Sequence, residues 1–149
     1  MCIRDSGWTL NESAERDQVR AVVARYQALG ARVSLFMDPD LEAIERVPET
    51  GADRIELYTE SFADAVKAHG ADSPEARDSA SGFEAAADRA RALGLGVNAG
   101  HDLDLENLPL FRRIPGILEV SIGHALTVDA LKYGFDNAIG RYLDVLSRA

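Results

Sequence analysis

Two histidines follow glycines at the ends of strand-like apolar runs. His101 lies in "LGLGVNAGHD" (93–102) and His124 lies in "LEVSIGHAL" (118–126). A histidine can give or take a proton near neutral pH. Because His101 has polar neighbours, Asp102 among them, a catalytic role is as well supported here as the role of an ordinary loop histidine without chemistry. At His124 a strand runs into a helix start, where free backbone N–H groups bind phosphate, although a plain turn glycine beside an exposed histidine fits equally well.

Glu56 is a carboxylate inside a strand-like run, "RIELYT" (54–59). A carboxylate buried within a parallel sheet costs several kcal/mol unless it is paired or neutral. Glu56 therefore either points at a substrate inside a barrel or points to solvent from an edge strand. We favour the first interpretation, because perturbed acids cluster at functional sites.

Several other polar residues have simpler structural interpretations. Asp38 precedes Pro39 and is typical of a helix N-cap, whereas His69 suits the last turn of a helix, where a cation matches the helix dipole. The only lysines, Lys67 and Lys132, both lie in predicted helices. That position counts against an aldolase of the Schiff-base kind, which requires a lysine at a strand end.

These residues lie on alternating strands and helices that imply an α/β fold. The pattern predicts a leading helix at 11–29, strands at 32–38, 52–59, 94–100 and 116–123, and a last helix at 127–147. Alternating βα units form a parallel sheet, whose active site lies at the carboxyl ends of the strands. There we expect Asp38, Glu56, Asn98, His101 and His124. Two architectures fit this pattern, a doubly wound sheet and a (β/α)₈ barrel. No GxGxxG motif follows the first strand, so a dinucleotide-binding doubly wound fold lacks its main support. A full barrel has roughly 250 residues and eight βα units, and this chain has four.

Composition limits the partners and the compartment. The 149 residues carry a net charge of −9, which argues against nucleic acid or an anionic membrane as the main partner. The sequence contains no run of 18 apolar residues that would suggest a membrane span. The single cysteine fits a reducing, cytoplasmic environment. Residues 1–6, "MCIRDS", match no helical pattern and are expected to be a non-native start, so that the domain occupies 7–149.

Four motifs together resemble pyridoxine 5′-phosphate synthase, in that family's order and spacing. They are "RVSLFMDPD" (32–40), "GADRIELYTESFA" (51–63), "LGLGVNAGHDLDLENLP" (93–109) and "LEVSIGHAL" (118–126). The family is a (β/α)₈ TIM barrel. It condenses 1-deoxy-D-xylulose 5-phosphate with 3-amino-2-oxopropyl phosphate to pyridoxine 5′-phosphate, phosphate and water. The resemblance implies small phosphorylated substrates, no cofactor and no metal.

The resemblance also implies a role for each candidate site residue. Glu56 matches a strand-six glutamate that orients substrate and stabilises the transition state, and His101 matches the strand-seven histidine that donates a proton. Asp102 occupies a substrate-contacting position where the family varies. Gly123 and His124 match the pair that holds a substrate phosphate.

The resemblance covers the C-terminal half of that barrel, strands five to eight. It implies that the other half holds a substrate-binding asparagine and arginine and a further catalytic histidine and glutamate. The chain alone is thus expected to be inactive, and the full-length enzyme to be a homo-oligomer. An open half-barrel would leave interior apolar side chains and two strand edges, at 33–37 and 117–121, without partners. Two alternatives stay open: another phosphate-binding TIM-barrel half, such as a phospho-sugar isomerase or aldolase, and a non-catalytic, self-associating half-barrel.

Overall fold

Four parallel strands form one sheet in the order in which they occur along the chain. A computed structural model describes residues 7–147, so the expected non-native start at 1–6 lies outside the described residues. The strands are β1 (Ser34–Met37), β2 (Arg54–Tyr58), β3 (Gly96–Gly100) and β4 (Ile117–Ser121). Each strand lies next to the strand that follows it in the chain, as in a segment of a barrel. In a doubly wound sheet the strand order instead reverses at one point.

Helices connect the strands. They are α1 (Ser13–Gln27), α2 (Leu41–Arg46) with a 3₁₀ turn (Val47–Thr50), α3 (Glu60–His69), α4 (Pro74–Ala92), α5 (Leu108–Phe111), α6 (His124–Tyr133) and α7 (Phe135–Ser147). The N-cap of α2 is Asp40, whose carboxylate accepts from the backbone N–H of Glu42 at 2.9 Å. The interpretation of Asp38 as a helix N-cap is therefore wrong.

The last helical segment is a pair of helices, which corrects the single helix predicted at 127–147. Gly134 has φ +81°, a conformation that glycine adopts without a Cβ clash, and it ends α6. Helix α7 then packs back against α6, and the Tyr142 hydroxyl donates a hydrogen bond to Asp129 at 2.8 Å. Burial and the charge of Asp129 raise the pKa of Tyr142, which keeps this hydroxyl a donor.

The core lies between the helices and one face of the sheet. Alternate strand residues on that outer face are buried among the helices: Leu35, Met37, Ile55, Leu57, Val97 and Ala99. Phe62, Phe83 and Phe111 pack against one another there, with ring centroids 5.1 to 6.2 Å apart. With the core helices on this face and an open cavity on the other, the chain has the architecture of half a TIM barrel, as predicted.

The opposite, inner face of the sheet is mainly polar. It carries Arg54, Glu56, Asn98, Glu119 and Ser121, with Phe36 half-buried among them. The expectation of exposed apolar side chains inside the open half-barrel is therefore confirmed only in part, by Phe36, which lines the open cavity and is partly exposed. Polar residues at alternate strand positions can face water without the penalty that apolar residues would incur.

The edge of β1 is contacted by a segment of the same chain. The backbone N–H of Trp8 donates to the carbonyl of Phe36 at 2.9 Å, and that of Gly7 donates to the Asp38 carboxylate at 3.1 Å. A Cβ on Gly7 would lie 2.2 Å from the Asp38 nitrogen, so only glycine fits this close approach. Asp38 therefore anchors the segment before α1. Within residues 7–147, no helix is both long and apolar enough to cross a bilayer.

Candidate active site

A cavity of about 490 Å³ opens at the carboxyl ends of the strands. The five residues to which the family resemblance assigned roles all line it: Glu56, His101, Asp102, Gly123 and His124. Asp38 and Asn98, which were also expected at this edge, are not part of the lining. Residues from β2, from the loop after β3 and from the start of α6 thus meet at one place.

A second cavity, of about 450 Å³, lies beside the first and shares Asp102 with it. Its lining includes Asp64, Asp104 and Glu106 and a single lysine, Lys67. A mainly acidic lining repels phosphate, so the first cavity is the better site for a phosphorylated ligand.

Glu56 lies on the inner face of β2, with its carboxylate beside Gly100 and Ser121. It forms a hydrogen bond with Ser121, and a Cβ on Gly100 would lie 2.4 Å from its Oε1 atom. Glycine at position 100 therefore leaves the space that the carboxylate fills. Burial raises the pKa of Glu56, the Ser121 hydrogen bond opposes that rise, and the charge of Glu119 adds to it. The result is a carboxyl group that holds a proton more readily than usual.

His101 follows β3 in a tight turn with unusual backbone angles. Its φ is +92° and that of Asp102 is +55°, in the region that L-residues rarely adopt. The Nδ1 atom of His101 lies 3.1 Å from the Asp102 carboxylate, and the edge of the ring packs on Tyr58 with centroids 4.6 Å apart. The Asp102 contact occupies Nδ1, which leaves Nε2 for a ligand.

Gly123 and His124 begin α6, and both are exposed. Gly123 is the N-cap residue and brings no side chain to the first backbone N–H groups of the helix. Its carbonyl accepts from the backbone N–H and from the hydroxyl of Thr127, both at 3.1 Å, which fixes the first turn. N–H groups in this arrangement can donate to an anion in the cavity.

Asn98 lies away from the cavity, which corrects its expected position beside His101. Its side chain accepts from Arg54 at 2.9 Å and donates to Glu119 at 3.3 Å. Arg54 also binds Glu119 at 2.8 Å, and Arg32 binds the same carboxylate at 2.9 Å. Asn98 pairs with Glu56 in the sheet register, but its side chain belongs to the polar network of Arg54 and Glu119 and not to the cavity.

Phe36 and Ser121 line the cavity but were not predicted as site residues. Phe36 could have been found from the sequence by aligning the strand-like run at 32–38 with the run that contains Glu56. The two residues pair across β1 and β2, so their side chains lie on the same face of the sheet. Ser121 pairs with Gly100 across β3 and β4, after a register shift between Val97 and Asn98. The strand sequences do not reveal that shift.

Glu60, His101 and Asp102 are the one group of side chains within 7–147 whose ligand atoms lie close enough to hold a metal ion, all within 4.8 Å. Glu60 accepts from the Tyr58 hydroxyl at 2.6 Å, and Asp102 contacts His101 at 3.1 Å. These hydrogen bonds account for the cluster, and two of its members are exposed carboxylates that water solvates well.

Comparisons with known proteins agree on one family. The family model described as "Pyridoxal phosphate biosynthesis protein PdxJ" matches residues 3–148. Pyridoxine 5′-phosphate synthase from Flavobacterium johnsoniae is 46% identical over 145 residues, which cover 95% of this chain and 56% of the relative. The synthase from Brucella abortus strain S19 is 47% identical over 144 residues, covering 96% and 56%. The chain thus spans about half the length of the curated relatives that it matches.

Proposed function

This chain belongs to the PdxJ family of pyridoxal phosphate biosynthesis proteins, and we propose that it supplies strands five to eight of a pyridoxine 5′-phosphate synthase barrel. The reaction joins 1-deoxy-D-xylulose 5-phosphate to 3-amino-2-oxopropyl phosphate. The products are pyridoxine 5′-phosphate, phosphate and water. Imine formation, elimination and ring closure each require proton transfers, which side-chain acids and bases can perform.

The observation that supports this proposal is the meeting of Glu56, His101 and His124 at one cavity. Glu56, with its raised pKa, would exchange a proton with the substrate at a pH where most carboxyls stay ionised. His101 would donate through Nε2 while Asp102 orients its ring. Gly123 and His124 would hold a substrate phosphate at the start of α6.

We propose that the activity also requires the remaining half of the family's barrel. Two substrates must be held together while several protons move, and a displacement of about 1 Å can reduce the rate about a hundredfold. This chain alone would then form no product, although its α6 start would retain weak affinity for phosphate. A cytoplasmic location and a homo-oligomeric full-length enzyme belong to the same proposal.

The test measures pyridoxine 5′-phosphate formation from both substrates, first with this chain and then with an N-terminal half from the Flavobacterium johnsoniae relative added. We expect turnover only in the second case. In that complemented enzyme, His101→Ala should reduce kcat by about 10²–10⁴-fold. His124→Ala should mainly raise KM. Turnover by the chain alone would contradict the assignment of roles.

A second candidate function is self-association, which the exposed apolar residues at both sides of the sheet favour. Val22 and Tyr26 are exposed one turn apart on α1, Leu29 is exposed in the turn after that helix, and Leu118 and Leu146 are exposed near β4. Sedimentation measured at several protein concentrations distinguishes a chain that self-associates from one that stays monomeric. A monomer with a concentration-independent thermal transition would exclude this candidate.

A further inference from the structure

The turn that carries His101 is held by three hydrogen bonds to three consecutive carbonyls. The Gly100 carbonyl accepts from the backbone N–H of Thr59 at 3.0 Å, and the His101 carbonyl accepts from the hydroxyl of the same threonine. The Asp102 carbonyl accepts from the Asn107 side chain at 2.9 Å. Thr59 is fully buried, and Asn107 is 2% exposed. Two buried polar residues thus fix the backbone on which His101 is mounted.

The Thr59 hydroxyl is used here in an unusual way. Thr59 is the N-cap residue of α3, where a threonine hydroxyl ordinarily accepts from the N–H groups of the first helical turn. It makes no such capping bond, and it donates across to the His101 carbonyl. The helix therefore lacks a stabilising cap at this position, while the strained turn gains a donor.

A strained turn persists only where the surrounding structure holds it. With φ at +92°, His101 would relax to a negative φ if its carbonyl lost its donor, and its Cα–Cβ bond would then rotate away from the present direction. The contacts of the ring with Tyr58 and with the Asp102 carboxylate depend on that direction.

We propose that Thr59 is a positioning residue for His101: its hydroxyl holds the His101 turn in the conformation that directs Nδ1 to Asp102 and leaves Nε2 for the cavity. Its catalytic meaning rests on the proposed function. The orientation itself does not, because it can be measured without any substrate.

The test is ¹⁵N NMR of the histidine rings in this chain, with His101→Ala to assign one signal set among His69, His101 and His124. In the parent chain, neutral His101 should carry its proton on Nδ1, against Asp102. His69 is exposed and provides an internal reference for an unconstrained ring. Thr59→Val, which removes the hydroxyl at nearly constant volume, should shift the His101 signals to the pattern of His69. Thr59→Ser, which restores a hydroxyl, should retain the parent pattern.

Thr50→Val is the matched control. Thr50 is also buried, at 1% exposure, and its hydroxyl donates to the Val47 carbonyl at 2.7 Å, away from the cavity. This variant should lose stability and leave the His101 signals unchanged. The proposal is wrong if folded Thr59→Val keeps the parent pattern, or if Thr50→Val changes that pattern equally.

A second variant covers the case in which Thr59→Val does not fold. Glycine adopts a φ near +90° readily, so adding His101→Gly should remove the strain that Thr59 restrains. The double variant is then expected to fold, and its failure would overturn the proposal. If the ring patterns behave as expected while the complemented enzyme forms no product, the proposed function fails and the positioning role stands.

Discussion

The two ends of the inner sheet face carry similar polar residues in opposite situations. At the amino end of β2, Arg54 is 15% exposed, and its guanidinium donates hydrogen bonds to Asn98 and to Glu119. Two residues further along β2, Glu56 lines the cavity at the carboxyl ends. It has a hydrogen bond with Ser121, but burial still raises its pKa.

This difference separates residues that stabilise the sheet from residues that are available to a ligand. In the first group each charge has an opposite charge or a hydrogen-bond partner, which offsets part of the cost of its burial. In the second group the backbone of His101 is strained and Glu56 is more easily protonated, which are costs that a structural role does not explain. A TIM barrel divides its two faces in the same way, with stability at the amino end and chemistry at the carboxyl end.

A large effect on stability is expected from Arg54→Met. The substitution keeps most of the side-chain volume and leaves the Asn98 carbonyl without its donor. We expect a loss of about 1–3 kcal/mol, the cost of an unsatisfied buried acceptor together with a lost charge-assisted hydrogen bond. Urea unfolding at one fixed, low protein concentration measures it.

Arg46→Met is the control for that experiment. Arg46 forms an ion pair with Glu42 at 3.5 Å on the surface of α2, and exposed pairs contribute little. We expect a change within about 0.5 kcal/mol. Equal losses of stability in the two variants would show that the Arg54 network contributes no more to stability than an exposed ion pair does.

The hydrophobic periodicity of the sequence predicted the order of strands and helices, because the outer face of each strand must be apolar where a helix packs against it. It located Glu56, His101 and His124 correctly at the cavity, since the carboxyl ends of parallel strands lie at one edge. It failed for Asn98, which lies in mid-strand at the same register position as Glu56 but does not line the cavity. Its side chain turns toward Arg54 and Glu119, two residues that are distant in sequence.

The conformation of the His101 turn could not be predicted either. A positive φ is expected at glycine, and here it occurs at His101 and Asp102, directly after Gly100. The donors that hold the turn, Thr59 and Asn107, come from two other segments. Only the folded arrangement brings them together.

The pH dependence of stability is expected to have opposite signs at the two ends. At the amino end, the backbone N–H of Val33, 2.8 Å away, and then the Gln27 amide lower the pKa of Asp53 below its ordinary 3.8. The stability that Asp53 contributes is present above that ordinary value and is lost as the pH falls through the lowered pKa. Asp53→Asn should therefore reduce stability at neutral pH and flatten the acid limb.

At the carboxyl end, the pKa of Glu56 is raised above its ordinary 4.5. The folded state then binds more protons than the unfolded state above pH 4.5, so stability falls as the pH rises toward the folded pKa. Glu56→Gln should remove that fall and make the chain more stable at neutral pH, although it disables the proposed chemistry. Urea unfolding from pH 3 to pH 8 measures both variants. A loss of stability in Glu56→Gln at pH 7 would contradict the difference between the ends.

Two glycines on β3 mark the same division. A Cβ on Gly96 would lie 2.8 Å from Cγ of Arg54, in the middle of a side chain that the polar network holds. A Cβ on Gly100 would lie 2.4 Å from Oε1 of Glu56, at the end of a side chain beside the open cavity, and 3.0 Å from Cβ of Ser121. Moving the Arg54 side chain would break its hydrogen bonds with Asn98 and Glu119, whereas the Glu56 carboxylate can swing toward the cavity with the loss of one hydrogen bond, to Ser121.

Gly96→Ala is therefore expected to cost about 1–3 kcal/mol, the usual range for an overpacked site, and Gly100→Ala about 1 kcal/mol or less. The second substitution has a further consequence, because a Glu56 carboxylate displaced toward the cavity is better solvated. Its pKa should then move down toward its ordinary 4.5, which ¹³C NMR titration of the labelled glutamate carboxyl measures directly. In Gly96→Ala that titration should match the parent chain. If Gly100→Ala costs more stability than Gly96→Ala, or leaves the Glu56 titration unchanged, the carboxylate is held as firmly as Arg54 and the two ends do not differ in this respect.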